Sequence, residues 1–316
     1  MSYELLLEKK NVVGAGIGFK ITNGENTGRM SVVTMVSRKV PKETLMMEDI
    51  IPTGYAGMPT DVIETGEFKA LSTTDKFRPA PGGVSIGHHK ITAGTLGVVL
   101  KLCCYDRVIL SNNHVLANSN DAEIGDIILQ PGPYDGGKVG TDDIAVLEDF
   151  VPIKFNQSSI CPFANTVVSI GNKIAKMLNS SKRLKLETEY NLVDAAIALP
   201  LKDSDVLDEI LEIGVIEGTQ EPYLNMAIRK YGRTTDYTED KILILHSTVN
   251  VSYGAGKVAR FEDQVVAGAM SNGGDSGSLI VDRSSQNAVG LLFAGSDTHT
   301  IFNPINYILE ALSLSF

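Results

Sequence analysis

The chain has 316 residues, which is enough for a sizeable hydrophobic core and for more than one domain. Its composition, 21% charged and 43% hydrophobic, is typical of a soluble globular protein. The net charge of −10 argues against generic binding to nucleic acids or to anionic membranes. The short basic cluster of Lys182, Arg183 and Lys185 is interpreted as a solvated face.

The cysteines and the N-terminus indicate the cellular compartment of the protein. Three cysteines, Cys103, Cys104 and Cys161, are a poor disulfide framework for a chain of this length. The first residues, MSYELLLEKKN, lack the long apolar stretch of a signal peptide, and no segment is apolar enough for a membrane span. The sequence therefore predicts a cytoplasmic protein with reduced thiols.

The first predicted domain is a small α/β unit over residues 1–76. Residues 11–20, 31–40 and 61–68 read as strands, and a short helical stretch follows Pro41. The first strand carries glycines in a G-x-G-x-G spacing, which lacks the second half of a dinucleotide fingerprint. We therefore predict no cofactor.

Residues 77–316 form the second predicted domain. After the proline- and glycine-rich segment FRPAPGG (77–83), short apolar runs recur with turns between them, which favours a barrel or a sandwich of β-strands. Helical spacing predicts an insertion over about 163–185, a short helix over 203–213 and a closing helix over 306–313. The domain is expected to be mainly β.

One serine lies in a turn that suits a nucleophile. Ser276 lies in GGDSGSLIV, in which glycines and an aspartate precede an apolar strand. A serine hydroxyl is a weak nucleophile and needs an adjacent base. His114 suits that role because ILSNNHVLAN places it where a strand ends and a turn begins. The other histidines read as surface, packing, strand or turn residues: His88, His89, His246 and His299.

Two aspartates are candidates for orienting the histidine. Asp143 begins DIAVL and Asp194 lies in VDAAIAL, so each precedes a predicted strand. The chain order His, Asp, Ser differs from the Ser, Asp, His order of α/β-hydrolases, and the segment after Ser276 is too short for the helices of that fold. It also differs from the Asp, His, Ser order of subtilisin.

Three segments in this order resemble the catalytic motifs of trypsin-like (chymotrypsin-fold) serine proteases. They are SNNHVLAN (111–118), VDAAIA (193–198) and GGDSGSLI (273–280). The sequence is most similar to a bacterial branch without disulfides that is related to the plant narrow-leaf proteases, and KYGRTTDYTEDKI and AVGLLFAGS extend the likeness over about residues 78–312. The resemblance implies a chymotrypsin-like double β-barrel, preceded here by the small α/β domain.

The resemblance also implies a function, a serine endopeptidase that takes protein or peptide substrates. Ser276 would be the nucleophile, His114 the base and Asp194 the triad acid, with Asp143 as the alternative. The N–H groups of Gly274 and Ser276 would form the oxyanion hole. The specificity pocket would be formed by Met270, Phe293 and Gly295. With Met270 at its base and no acid there, an apolar or small P1 residue is expected.

Activation is the main departure from the family pattern. Classical members switch on when a freed N-terminus pairs with the aspartate before the serine, but a whole domain precedes the barrel here. Either activation differs, or Asp275 pairs with a side chain. The alternative functions are a catalytically weak chymotrypsin-fold binding or regulatory module and an esterase. No metal and no nucleic-acid or membrane partner is expected.

Overall fold

The structure is a computed structural model that describes residues 2–22, 24–66, 72–91, 93–102, 105–155, 173 and 190–316. Contacts divide the chain into two compact units, Met1–Leu71 and Ser72–Phe316. The predicted insertion over 163–185 lies outside the described residues except for Lys173, and the three cysteines and the basic cluster at 182–185 lie outside them entirely. Among the described helices, none is long and apolar enough to cross a membrane.

The first unit is built on a four-stranded sheet in the order β1-β2-β4-β3. The two long strands pair as an antiparallel hairpin, and β4 lies parallel to β2. The helical stretch predicted after Pro41 forms two single 3-10 turns, because Leu45 and Met46 between them have extended backbone. The elements are α1 (Glu4–Leu7), β1 (Val12–Thr22), β2 (Glu25–Val36), β3 (Gly54–Tyr55) and β4 (Met58–Glu64).

The second unit contains an eight-stranded sheet in the order β21-β8-β9-β12-β11-β10-β6-β7. It also contains a separate three-stranded sheet in the order β14-β13-β5. The strands of these sheets are β5 (Ala80–Gly82), β6 (Ser85–His88), β7 (Gly94–Thr95), β8 (Val98–Leu102), β9 (Tyr105–Ser111), β10 (Ile127–Leu129), β11 (Asp143–Phe150), β12 (Ala196–Pro200), β13 (Val206–Ile210), β14 (Gly214–Val215) and β21 (Leu314–Ser315).

The helix predicted over 203–213 is wrong. Asp203–Asp205 is a single 3-10 turn, and β13 follows it and pairs in parallel with β5. Val206 and Ile210 are both buried, and their spacing of four residues also fits one face of a helix. The pairing with β5, which is distant in sequence, decides the conformation.

The second half of this unit is a closed six-stranded barrel in the order β15-β16-β17-β20-β19-β18. Its interior holds a cluster that includes Ile228, Val265 and Phe302. The strands are β15 (Ala227–Gly232), β16 (Asp236–Ser252), β17 (Val258–Ala267), β18 (Leu279–Asp282), β19 (Ala288–Gly295) and β20 (Thr300–Pro304).

One hydrophobic cluster joins the barrel to the eight-stranded sheet. It contains Leu110 from β9, Leu291 from β19 and Ile308 from the closing helix α3 (Ile305–Leu312), all buried. The short helix α2 (Asn113–Leu116) follows β9 directly. The prediction of a mainly β protein is confirmed, and so is the closing helix. Of the two predicted barrels, the described strands close the second.

Candidate active site

His114 lies at the end of β9, where the chain leaves the sheet as α2. The neighbouring side chains Val115 and Leu116 are fully buried and hold this one-turn helix in the core, whereas the side chain of His114 is 22% exposed. The amide of Asn112 donates to the main-chain oxygen of Asp194 over 2.7 Å. The imidazole of His114 is therefore accessible, while the buried side chains that follow it hold the helix in the core.

Asp194 orients this imidazole. Its Oδ2 lies 2.6 Å from Nδ1 of His114, and its Oδ1 lies 3.3 Å from the His114 main-chain nitrogen. Asp194 is fully buried, and its own N–H donates to Oδ1 of Asn303 over 3.0 Å. Because Nδ1–H donates to the carboxylate, the neutral ring has its lone pair on Nε2, the nitrogen that a general base requires.

A third side chain completes this pair. The hydroxyl of Tyr253 donates to Oδ2 of Asp194 over 2.8 Å, and the Tyr253 ring meets the His114 ring edge-on with 5.6 Å between centroids. Burial, and next the charge of Asp194, raise the pKa of Tyr253 well above its usual value, so the phenol stays neutral. Sequence reasoning missed Tyr253, because nothing near it in the chain marks it as a partner of Asp194.

Asp143, the alternative triad acid, has a local role. Its Oδ1 accepts the N–H of Gly140 over 2.8 Å, and its main-chain oxygen accepts from Arg78 over 3.1 Å. Both Asp143 and His114 are described, and no hydrogen bond joins them. The structure thus brings Asp194, and not Asp143, to the histidine.

Several N–H groups of the turn around Ser276 have no acceptor among the described residues. The N–H groups of Asp275, Gly277 and Ser278 donate to the carbonyls of Asn272, Leu292 and Asp275. Within the described part of the chain, those of Gly273, Gly274 and Ser276 have no acceptor. The last two are the donors that the sequence predicts for an oxyanion hole.

Glycine is required at position 274. Its φ of +100° lies in the left-handed region, and a Cβ there would lie 2.5 Å from Oγ1 of Thr234. Both the backbone conformation and the space therefore exclude a larger residue.

Thr95 fixes the serine turn next to the histidine helix. Its N–H donates to the Ser276 carbonyl over 2.8 Å, and its hydroxyl donates to the Gly274 carbonyl over 2.9 Å. A Cβ on the neighbouring Gly94 would touch both a methyl group of Val115 and the Ser276 carbonyl, so the segment bearing His114 lies against the turn. Among the described groups, no hydrogen bond joins the Ser276 hydroxyl to the imidazole.

Asp275 pairs with a side chain inside the protein. Its Oδ2 lies 3.5 Å from Nζ of Lys230, and both side chains are fully buried. Its carboxylate also accepts from the N–H groups of Thr234 and Thr235 and from that of Asn272, over 2.8, 3.1 and 2.9 Å. Burial lowers the pKa of Lys230, and the nearby charge of Asp275 opposes that change. Of the two possibilities left open by the sequence, this geometry supports pairing with a side chain.

A cavity of about 190 Å³ opens beside Ser276. The predicted pocket residue Gly295 lines it, but Met270 and Phe293 do not. Met270 and Phe293 are buried in two separate hydrophobic clusters. Because side chains alternate along a strand, Phe293 lies on the opposite face from Leu292 and Ala294. The lining residues are Ser271, Asn272, Gly273, Ser276, Leu292, Ala294, Gly295, Ser296 and Asp297.

One cluster of described residues has the composition of a metal site: His88, His89 and Asp126. Nδ1 of His88 accepts the N–H of Lys90 over 3.2 Å, so the ring proton is on Nε2, which lies 2.9 Å from Oδ2 of Asp126. Burial lowers the pKa of His88, which favours the neutral ring. A protonated Nε2 cannot bind a metal, so the hydrogen bonding is that of a structural histidine.

Comparisons with known proteins find likeness only among solved structures. No family model and no curated protein matches the chain. A Nocardiopsis protease is 13% identical, with 74% of this chain and 97% of that chain covered and a TM-score of 0.48. A glutamic-acid-specific serine protease described as using a histidine triad in substrate binding is 17% identical, with coverages of 75% and 99% and a TM-score of 0.48. An alpha-lytic protease homologue is 15% identical, with coverages of 75% and 98% and the same TM-score.

The class defined by this fold and site is a mainly β protein with a closed six-stranded barrel. Its second unit presents a His–Asp pair and a glycine-rich serine turn.

Proposed function

We propose that the chain is a serine endopeptidase that acts through an acyl-enzyme. The observation that carries the proposal is the distance of 2.6 Å between Nδ1 of His114 and Oδ2 of the buried Asp194, at a segment that packs against the serine turn. The free N–H groups of Gly274 and Ser276 supply the second requirement, two donors at the serine.

The chemistry follows from these positions. The Oγ of Ser276 attacks the carbonyl carbon of the scissile peptide, and Nε2 of His114 takes the hydroxyl proton. Asp194 holds the imidazole in the required tautomer and stabilises the imidazolium that forms. The N–H groups of Gly274 and Ser276 stabilise the oxyanion, and a preorganised donor of this kind contributes roughly a hundredfold to a thousandfold in rate. His114 then protonates the leaving amine, and water hydrolyses the acyl-enzyme by the same steps.

The cavity beside Ser276 supports a preference at P1. Its walls include the apolar side chains of Leu292 and Ala294, its volume is small, and Asp297 at its exposed edge disfavours an acidic residue. We therefore infer that the enzyme cleaves after small or apolar residues.

A second candidate function is a chymotrypsin-fold binding or regulatory module with little turnover. The observation that favours it is the missing hydrogen bond between Ser276 and His114. Hydrogen bonds of catalytic groups are often long in unliganded enzymes and shorten when substrate binds, so this observation does not decide between the two functions.

A fluorophosphonate probe separates the two functions. We expect it to label the wild-type protein and Ser296→Ala, which removes a hydroxyl that lines the same cavity, but not Ser276→Ala. A well-folded wild-type protein that is not labelled would contradict the endopeptidase. Incubation with a peptide library then distinguishes an endopeptidase from an esterase, which would hydrolyse small esters and leave every peptide intact.

A further inference from the structure

Two side chains, those of His114 and Tyr253, form hydrogen bonds to the carboxylate of Asp194. It is fully buried, and the described residues that donate to it are His114, through Nδ1 and the main-chain nitrogen, and Tyr253, through its hydroxyl. Asn112 and Asn303 contact only the main chain of Asp194. A buried carboxylate is stable as an anion only where hydrogen bonds replace water, so the loss of one of two partners is costly.

The phenol of Tyr253 lies in the turn of the β16–β17 hairpin of the six-stranded barrel. Tyr253 follows β16 directly, and its N–H donates to the Lys257 carbonyl over 2.9 Å, which closes the turn before β17. At the same turn, Nζ of Lys257 lies 2.9 Å from Oδ2 of Asp121, which follows α2 in the chain. The ring of Phe155 meets the Tyr253 ring edge-on at 5.4 Å. The hairpin is thus held from both sides against the segments that carry the histidine.

We infer that Tyr253 is a positioning residue, whose phenol holds Oδ2 of Asp194 toward Nδ1 of His114. This inference rests on the proposed function and adds a residue to its machinery. The phenol acts through Asp194, because its hydroxyl is committed to the carboxylate. Burial and the charge of Asp194 raise the pKa of Tyr253 well above its usual value, so the phenol keeps the proton that it donates to Asp194.

The chain supplies a matched control. Asp263 also accepts from a tyrosine hydroxyl, that of Tyr307, and from Nδ1 of a histidine, His246, whose side chain is 82% exposed. Tyr307→Phe therefore removes the same chemical contact at a carboxylate that does not bond to His114. Tyr253→Phe keeps the ring and its packing and removes only the hydroxyl.

The first readout is kinetic. A hydrogen bond to a charged group predicts a fall in kcat of about tenfold to a hundredfold for Tyr253→Phe. KM should not change, because the ring is kept. Tyr307→Phe should have wild-type values of both.

The second readout is the proton on Nδ1 of His114, observed by NMR at low field. Without the phenol, Oδ2 of Asp194 is no longer held toward Nδ1, so we expect this resonance to move upfield and its proton to exchange faster with water. The charged and titratable groups around the ring are Asp194 and Tyr253, with Lys257 and Asp121 at the far end of the hairpin. The resonance does not require turnover, so it tests Tyr253 even if the endopeptidase proposal fails.

An unmoved resonance in Tyr253→Phe would overturn the inference, whatever the effect on kcat. If that variant does not fold, the hydroxyl proton of Tyr253 in the unmodified protein decides. The inference requires a slowly exchanging low-field resonance, and a freely exchanging phenol would overturn it.

Discussion

The ammonium group of Lys230 lies 3.5 Å from the carboxylate of Asp275, and neither side chain is exposed to solvent. The carboxylate belongs to the residue that precedes Ser276. An internal cation therefore contacts the turn that carries the serine.

Lys230→Met should destabilise the protein by about 3 kcal/mol, because it leaves a buried carboxylate without its cation. Urea unfolding measures this change. The control is Arg283→Met, which breaks an exposed ion pair with Glu239 and should change the free energy of unfolding by less than about 1 kcal/mol. Equal effects of the two substitutions would show that the buried pair does not hold the turn.

Asp194→Asn should lower kcat by about ten-thousandfold, since an amide in this position favours the wrong tautomer of His114. Asp143→Asn changes only a turn contact with Gly140 and should keep most of the activity. Steady-state kinetics on one peptide substrate compares the two variants. If Asp143→Asn is the inactive one, the assignment of the triad acid is wrong.

Gly274→Ala should abolish most activity, because the new methyl group would lie 2.5 Å from Oγ1 of Thr234 and displace an oxyanion donor. Gly136→Ala is the control for backbone strain. Gly136 has a φ of +92° with nothing near its would-be Cβ, so the change should cost about 1 kcal/mol of stability and leave kcat unchanged. Comparable kcat values for the two variants would contradict the proposed oxyanion hole.

The buried His88 should make stability depend on pH. Burial lowers its pKa in the folded protein below the unfolded value of 6.5. The unfolded state therefore binds more protons as pH falls through 6.5, and the folded state is destabilised there. His88→Gln should flatten the dependence of the unfolding free energy on pH between about pH 7 and pH 5. An unchanged slope in His88→Gln would refute the prediction.

The sequence predicted those parts of the site that lie in short motifs. SNNHVLAN, VDAAIA and GGDSGSLI each place one side chain at a strand end or in a tight turn. Local residue types and order were therefore enough to single out His114 and Ser276, whereas Asp194 was preferred over Asp143 only through the resemblance to a known family. The mainly β class followed in the same way, from short apolar runs separated by turns.

Contacts between distant segments could not be predicted in this way. Tyr253 reaches Asp194 only because β16 and β17 form a hairpin in the closed barrel, and no local pattern marks it. The strand β13 looked helical because its pairing with β5 is remote in sequence. Alternation along a strand predicts which residues share a face, but not which of the two faces meets the cavity. Phe293 was therefore assigned to the pocket although it lies on the other face.

We propose that Ser276 is an activated nucleophile in a turn that the internal pair of Lys230 and Asp275 already holds. Mass spectrometry of the fluorophosphonate-treated protein tests it most directly, with the intact mass and the peptide map read from the same sample. The account predicts one adduct, on Ser276, in a chain of the full 34.0 kDa. A folded full-length chain without an adduct, or labelling that appears only after the chain has been cut, would contradict it.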